Sequence, residues 1–185
     1  MELENKALEF AKEKHKGQYR KGKDKKEYIN HPINVSNKLK LFFEHDENMV
    51  AAALLHDTLE DTNTTYDELV KEFNIDVANL VDELTSNKEE QNTLGKVNYL
   101  SIKMSQISER ALDIKLCDRL DNIQDCITLN DHFREKYIIE TMQIMSNLIL
   151  DRELTDDQLK IVDIIYNICS EFYQKNKRLV LSYKN

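Results

Sequence analysis

Ala51-Ala52-Ala53-Leu54-Leu55-His56-Asp57-Thr58-Leu59-Glu60-Asp61-Thr62 is the stretch around which the rest of the chain is organised. Its first half is alanine and leucine with no polar side, the pattern of a helix buried all round, and it ends abruptly in His56, Asp57, Glu60 and Asp61. If the helix continues, positions four apart share a face, so His56 stacks with Glu60 and Asp57 with Asp61. Carboxylates crowded beside a core are costly unless a cation or a proton is shared among them, and a divalent metal is the simplest remedy. The competing reading is a solvated helix C-terminus, which has to set negative charge against the macrodipole. A metal site needs further ligands from elsewhere.

The 185 residues have room for one domain and a substantial core. Three glycines and one proline supply few of the turn signals that a many-stranded sheet needs, so the expected fold class is all-α. Cys117, Cys126 and Cys169 have no Cys-x-x-Cys spacing, which supports neither a disulfide framework nor a thiolate zinc site and favours a reduced, cytoplasmic setting. The N-terminus lacks an apolar h-region and no run approaches the roughly 18 apolar residues of a membrane span, so no membrane partner is expected. A net charge of −8 repels a polyphosphate backbone, which argues against nucleic acid as a partner. Charge is nevertheless uneven: Lys12, Lys14, Lys16, Arg20, Lys21, Lys23, Lys25 and Lys26 face only Glu13 and Asp24 in one basic stretch.

Leu3, Ala7, Phe10 and Ala11 predict a first amphipathic helix that fades near Gly17, with His15 as an ordinary residue at its end. Gly17 to Glu27 has no apolar periodicity and reads as a loop. Proline favours the first helical position and pushes the residue before it out of the helical region, so His31 sits at the mouth of a helix that runs on through Ile33, Ser36, Leu39, Phe42 and Phe43. Taken alone, His31 reads as a cap or a half-buried contact; partners elsewhere change that. His45 reads as a surface residue. Asp46 caps the central helix, and Thr65-x-x-Glu68 is a capping box that opens the next. Tyr66, Leu69, Val70 and Phe73, then Val77, Leu80, Val81 and Leu84, are core stripes. Ser86 to Gly95 is polar and without periodicity, a mobile loop flanking the site, after which Tyr99, Leu100, Lys103, Met104 and Ile107 resume a helix.

The second decisive stretch runs from Ala111 to Ile123. Leu112, Leu116, Leu120, Ile123 and Ile127 mark a core face, which leaves Lys115, Asp118, Asn122 and Asp125 on a polar one. A solvated face explains Asp125 well and Asp118 poorly, because Ile114, Leu116 and Cys117 crowd it. Asn122, one turn on, is placed to orient a ligating carboxylate. Phe133 to Ile149 and Leu159 to Tyr173 are two long amphipathic helices, the second opened by Thr155-x-x-Gln158, with room for a homo-oligomer interface. Met142 and Met145 read as packing, and Lys175-Asn176-Lys177-Arg178 as a frayed tail.

Taken together, His31, His56-Asp57 and Asp118 resemble the H…HD…D signature of the HD superfamily of metal-dependent phosphohydrolases. Gly17-Gln18-x-Arg20-Lys21, Tyr28-Ile29-Asn30-His31-Pro32, Ala53 to Thr62 and Ile114-Lys115-Leu116-Cys117-Asp118-Arg119-Leu120-x-Asn122 are similar to the hydrolase domain of the RelA/SpoT family, in particular its single-domain small alarmone hydrolases. The resemblance spans roughly Leu3 to Ile127. It implies a compact multi-helix HD bundle forming one domain over residues 1–185, with the motifs in about 3–127 and C-terminal helices in 131–175 completing the core.

It further implies metal ligation by His31, His56, Asp57 and Asp118, with one manganese ion, Mn2+, per chain. Glu60 and Asp61 then form the catalytic pair that manages the attacking water, Arg20 and Lys21 meet substrate phosphates, and Lys115 and Asn122 lie on the substrate side. Two imidazoles and two carboxylates leave two positions of an octahedral ion open, as a catalytic site requires. The implied reaction is hydrolysis of guanosine 3′,5′-bis(diphosphate), ppGpp or pppGpp, to GDP or GTP and pyrophosphate. The alternatives are a phosphohydrolase for another small nucleotide such as NADPH, and a non-catalytic nucleotide-binding HD module. The latter usually lacks a ligand or the Glu-Asp pair, and this chain keeps both. No synthetase domain follows, so a hydrolase alone is expected. Cys117 stands where alanine is common, and Asp121 and Asp125 make the last motif more acidic than the family pattern.

Overall fold

The computed structural model describes residues 2–21, 25–126 and 129–182, with side chains as far as residue 173. Gly22, Lys23 and Asp24 of the basic loop, and Ile127 of the expected core face, lie outside the described residues. The expected all-α fold is found. The elements are α1 (Glu2–Lys14), α2 (Asn30–Phe42), α3 (Glu47–Leu55), α4 (Thr58–Asp61), α5 (Tyr66–Glu72), α6 (Ile75–Leu84), α7 (Lys88–Leu94), α8 (Lys96–Gln106), α9 (Glu109–Asp125), α10 (Asp131–Asp151) and α11 (Asp156–Ser182).

The bundle is built around α3. Every residue from Met49 to Leu55 is buried, and α1, α2, α6 and α9 pack on its sides. Ala51, Ala52 and Ala53 explain how four neighbours fit: methyl side chains let helices approach closely, and nothing polar on α3 is left to satisfy. Asp46 caps it by accepting from the Met49 amide at 2.9 Å, as the sequence predicts. On the other side, α10 lies on α8 and α11 on α9. The Thr155 box closes reciprocally, with Thr155 N–H to Gln158 Oε1 at 3.1 Å and Gln158 N–H to Thr155 Oγ1 at 3.3 Å. The Thr65 box closes only halfway: Thr65 accepts from the Glu68 amide, but the Glu68 carboxylate turns to Lys14 at 2.8 Å.

Four departures from the sequence reading matter for the site. The central helix does not continue past Leu55; His56 and Asp57 form a turn, with Asp57 at φ −98° and ψ −1°, before α4 begins. Two side chains stabilise the break by taking carbonyls that the helix end leaves free: His56 Nδ1 bonds the Ala53 oxygen at 2.9 Å and Thr58 Oγ1 the Leu55 oxygen at 2.7 Å. Second, α2 starts two residues before Pro32, so His31 is itself helical. A proline this early costs nothing in hydrogen bonding, since amides of the first turn have no intrahelical acceptor. Third, most of Ser86 to Gly95 is α7 rather than a loop. The Asn87 side chain caps it by accepting from the Glu89 and Glu90 amides, but none of its residues is buried, so there was no apolar period to read. Fourth, α11 continues through Lys175-Asn176-Lys177-Arg178 to Ser182, where a frayed tail was expected.

The Gly17 to Glu27 loop is pinned across its base by a Tyr19–Glu27 bridge, with Arg20 N–H to Lys26 O at 2.9 Å and Tyr28 N–H to Gln18 O at 3.0 Å. Gly17 holds φ +80°, a region that side chains with a Cβ rarely adopt, and so turns the chain from α1 into this hairpin. No helix among the described residues is long and apolar enough to cross a membrane.

Candidate active site

Three segments carry their polar groups to one point. His31 comes from the first turn of α2, His56 and Asp57 from the break after α3, and Asp118 from the middle of α9. His31, His56 and Asp118 each offer a ligand atom within 4.8 Å of the other two. His31 Nε2 lies 3.2 Å from Asp118 Oδ1, and His56 Nε2 lies 3.9 Å from the same oxygen. Asp57 closes the group with Oδ2 at 2.9 Å from His56 Nε2 and 3.6 Å from His31 Nε2.

The partners of the outer ring nitrogens decide what this cluster can hold. His56 Nδ1 faces the Ala53 carbonyl and His31 Nδ1 faces Asp121 Oδ2 at 2.6 Å, so each Nδ1 carries a proton and leaves Nε2 as the nitrogen that can meet a cation. Both Nε2 atoms face carboxylate oxygens, so with neutral rings acceptor would stand against acceptor. His56 Nε2 is buried with no hydrogen-bond donor to meet it. Such a set is satisfied by a shared cation, or by an added proton on the rings, and two imidazoles with two carboxylates suit a first-row divalent metal. Burial alone would lower the His31 pKa, but hydrogen bonds to Asp118 and Asp121 raise it to about 9. Burial would raise the Asp57 and Asp118 carboxyls; His56 outweighs it for Asp57 and Lys115 for Asp118, and both are held well below the usual range.

A second layer fixes Asp118. Asn122 Nδ2 donates to Oδ1, and Lys115 Nζ lies 2.9 Å from Oδ2. Lys115, expected on the substrate side, is therefore an ion-pair partner of Asp118, although it also lines the chamber. Asp125, read as a solvated residue, instead takes Arg20 Nε at 3.0 Å, while an Arg20 terminal nitrogen donates to Asn122 Oδ1 at 2.7 Å. The basic loop is thereby tied to α9.

Glu60 and Asp61, consecutive residues of α4, turn to different partners. Glu60 Oε2 accepts from the Ser86 amide at 3.0 Å, ahead of α7, while Asp61 Oδ2 is 3.3 Å from the Tyr28 hydroxyl. Both line the chamber. Tyr28 belongs to a motif that carries the family resemblance, but it was given no role of its own in the sequence reading. Its hydroxyl donates to Asp57 Oδ2 at 2.6 Å, its ring lies 4.8 Å from that of His15, and the Arg20 guanidinium sits 5.7 Å above it. Burial and the flanking Asp57 push the Tyr28 pKa far up, so the group stays a donor. His15, expected at a helix end with no special place, is buried and bonds Gln18, which in turn donates to the Asp61 carbonyl at 2.8 Å. Asp121 and Arg119, both buried, were also missed as site residues; each sits on α9 among residues whose spacing alone reads as a helix face.

The chamber above the cluster is a cavity of about 240 Å³. Arg20, Tyr28, Asp61, Lys96 and Asn122 also line an outer cleft of about 480 Å³, whose far wall is Tyr19, Lys21, Leu129, Phe133, Lys136 and Tyr137. Lys21 thus lines the cleft and not the chamber.

Residues 7–152 match the HD domain family. The chain belongs to that family. Guanosine-3′,5′-bis(diphosphate) 3′-pyrophosphohydrolase of Aquifex aeolicus is 41% identical over 152 residues, covering 77% of this chain and 20% of that protein. The enzyme of the same name, MESH1, of Xenopus tropicalis is 42% identical over 127 residues, covering 64% of this chain and 66% of that one. The HD domain thus spans about a fifth of the first relative and just under two thirds of the second. A solved structure of a metazoan ortholog of SpoT that hydrolyzes ppGpp superposes with a TM-score of 0.76 at 30% identity, over 90% of this chain and 95% of that one.

Proposed function

We propose that this HD domain, one domain over residues 1–185, is a manganese-dependent hydrolase acting in the cytoplasm. It removes pyrophosphate from the 3′ position of guanosine tetraphosphate or pentaphosphate. One observation carries the reading: two imidazoles with anchored Nδ1 atoms and two carboxylates meet beside a chamber that adjoins a nucleotide-sized cleft lined by Arg20, Lys21, Lys96 and Lys136 as well as by acidic groups. The name shared by the Aquifex and Xenopus relatives supports the choice of substrate.

His31, His56, Asp57 and Asp118 hold the ion, which when bound supplies Lewis acidity toward a phosphate oxygen and lowers the pKa of water. The remaining work falls to the chain. Asp61 and Glu60 face the chamber and manage the attacking water, one of them accepting its proton. The Ser86 amide keeps Glu60 turned, and Tyr28 O–H holds Asp57 beside Asp61. Arg20 is oriented by Asp125 and Asn122 with donors left for the 3′-diphosphate. Lys21 meets the substrate further out, in the cleft that takes the remainder of the nucleotide.

A panel of nucleotides assayed with manganese tests the assignment by kcat/KM. Guanosine tetraphosphate should lead, with GDP and pyrophosphate as products; a larger value for NADPH would reassign the substrate. In ¹⁸O water the label should enter pyrophosphate and not GDP, because attack at the phosphorus next to the ribose expels the 3′ oxygen. Labelled orthophosphate as first product would place the nucleophile at the terminal phosphorus instead.

A further inference from the structure

We infer that Asp121 and Lys38 form a positioning line that sets His31 as a metal ligand; the inference rests on the metal reading above. His31 and Lys38 stand two helical turns apart on one face of α2. Asp121 enters between them from α9 and gives one oxygen to each: Oδ2 lies 2.6 Å from His31 Nδ1 and Oδ1 lies 2.7 Å from Lys38 Nζ. The three side chains are 1%, 7% and 17% exposed from His31 outward, so the line runs from the floor of the chamber nearly to the surface.

The chemistry gives each member a separate task. A carboxylate on Nδ1–H fixes the tautomer, turns the ring and makes Nε2 a stronger donor to a metal, as outer partners of ligating histidines do. Asp121 is placed to do this because His31 Nε2, the other ring nitrogen, already faces Asp118 Oδ1. A carboxylate this buried is costly without a counter-ion, and Lys38 supplies one while pulling the second oxygen in the opposite direction. His31 geometry is therefore coupled to the packing of α2 on α9. The ordinary alternative is an interhelical ion pair that adds stability and leaves the ligand alone.

Two substitutions in the full chain separate these roles. In Asp121→Asn the amide accepts from His31 only by turning its NH₂ toward the Lys38 ammonium, or meets Lys38 only by turning that NH₂ toward the ring; either way one contact is lost. Calorimetric titration with Mn2+ alone should show affinity lowered by about 10–100-fold in Asp121→Asn. Lys38→Met should lower it several-fold, and Lys38→Arg should restore it to within about twofold. In ¹⁵N NMR of the metal-free protein, at a pH alkaline enough for the His31 ring to be neutral, Nδ1 of the wild type should keep its proton, and the Asp121→Asn ring should sample both tautomers. Affinity unchanged within about twofold in both Asp121→Asn and Lys38→Met, whatever happens to Tm, would reduce the line to an ion pair. If Asp121→Asn does not fold, Lys38→Met decides by the same titration. A wild type that takes up no manganese overturns the metal reading and this inference with it. A wild type that binds, with variants that bind as well, overturns this inference alone.

Discussion

The inner chamber and the outer cleft are adjoining spaces built on opposite plans. In the chamber the polar groups come from buried or half-buried helix positions and are already held: Asp118 by Asn122 and Lys115, His31 by Asp121, Glu60 by a backbone amide. In the cleft much of the far wall is open to solvent: the Lys136 side chain is 68% exposed, Phe133 is 62% exposed, and Lys21 stands on an exposed bend. A site arranged this way fixes its chemistry before the ligand arrives and leaves recognition to side chains that settle around it. Substitutions in the chamber should then act on metal content and kcat, and those in the cleft on KM.

The largest effect is expected at Asp118. Asp118→Asn removes a charged ligand and strands the buried Lys115 ammonium, so metal stoichiometry should fall to near zero and activity by on the order of 10³-fold or more. Inductively coupled plasma analysis of the purified variant, with circular dichroism to show that the helices remain, checks this. Full manganese occupancy in the variant would remove Asp118 from the ligand set. Tyr28→Phe should come next. It leaves a chamber ring in place and deletes only the hydroxyl that holds Asp57 beside Asp61, so kcat should fall by about 10–100-fold with metal largely retained. An unchanged kcat would make Tyr28 a wall residue.

Arg20 belongs to both spaces and so sharpens the boundary between them. A charge-assisted hydrogen bond to phosphate is worth about 1.5–3 kcal/mol, so Arg20→Ala should raise KM by about 10–100-fold. Metal affinity should stay near that of the wild type, measured by titration, because Arg20 touches Asp118 only through Asn122. Loss of metal in Arg20→Ala would show that the hairpin supports the chamber rather than the substrate.

The legibility of the sequence divides along the same line. The core was readable because alanine, leucine and valine at helical spacing leave few ways to bury α3 and α6, and Asp46 and Thr155 announce their caps directly. The His-Asp pair at the end of an apolar helix pointed to a metal site, but its convergence with His31 and Asp118 was implied by the resemblance to the HD superfamily rather than by the pair itself. Tyr28, His15 and Asp121 could not be inferred, since each acts through a contact with a distant segment: Tyr28 with Asp57, Asp121 with His31 across 90 positions of chain. A period read along one helix carries no information about such pairs. The break at His56 was hidden for a related reason, because the carbonyl bonds of His56 and Thr58 compete with a continuation that residue propensities favour.

The smallest effect concerns another carboxylate of α9 and asks whether cations, and not the helix itself, set the state of Asp118. Asp113 faces α11, accepting from Gln158 Nε2 at 2.8 Å, and burial pushes its pKa up to about 6. In the unfolded chain an aspartate titrates near 3.8. Between these values the unfolded state gives up its proton first, so stability declines as pH rises through that window and the whole penalty is present above about 6. Asp113→Asn keeps an oxygen for Gln158 and removes the charge. Because the group is partly exposed and solvent screens it, the gain should be modest, about 2 °C in Tm at pH 8 and nothing at pH 4. Thermal melts of the two proteins at both pH values check the sign. Asp118, with Lys115 against it, should show the opposite behaviour on the same helix, its stabilisation fading as acid protonates it. A variant at Asp113 that is less stable at pH 8 than at pH 4, relative to the wild type, would mean that Arg152 rather than burial governs that carboxylate, and that the contrast between the two positions is smaller than their surroundings suggest.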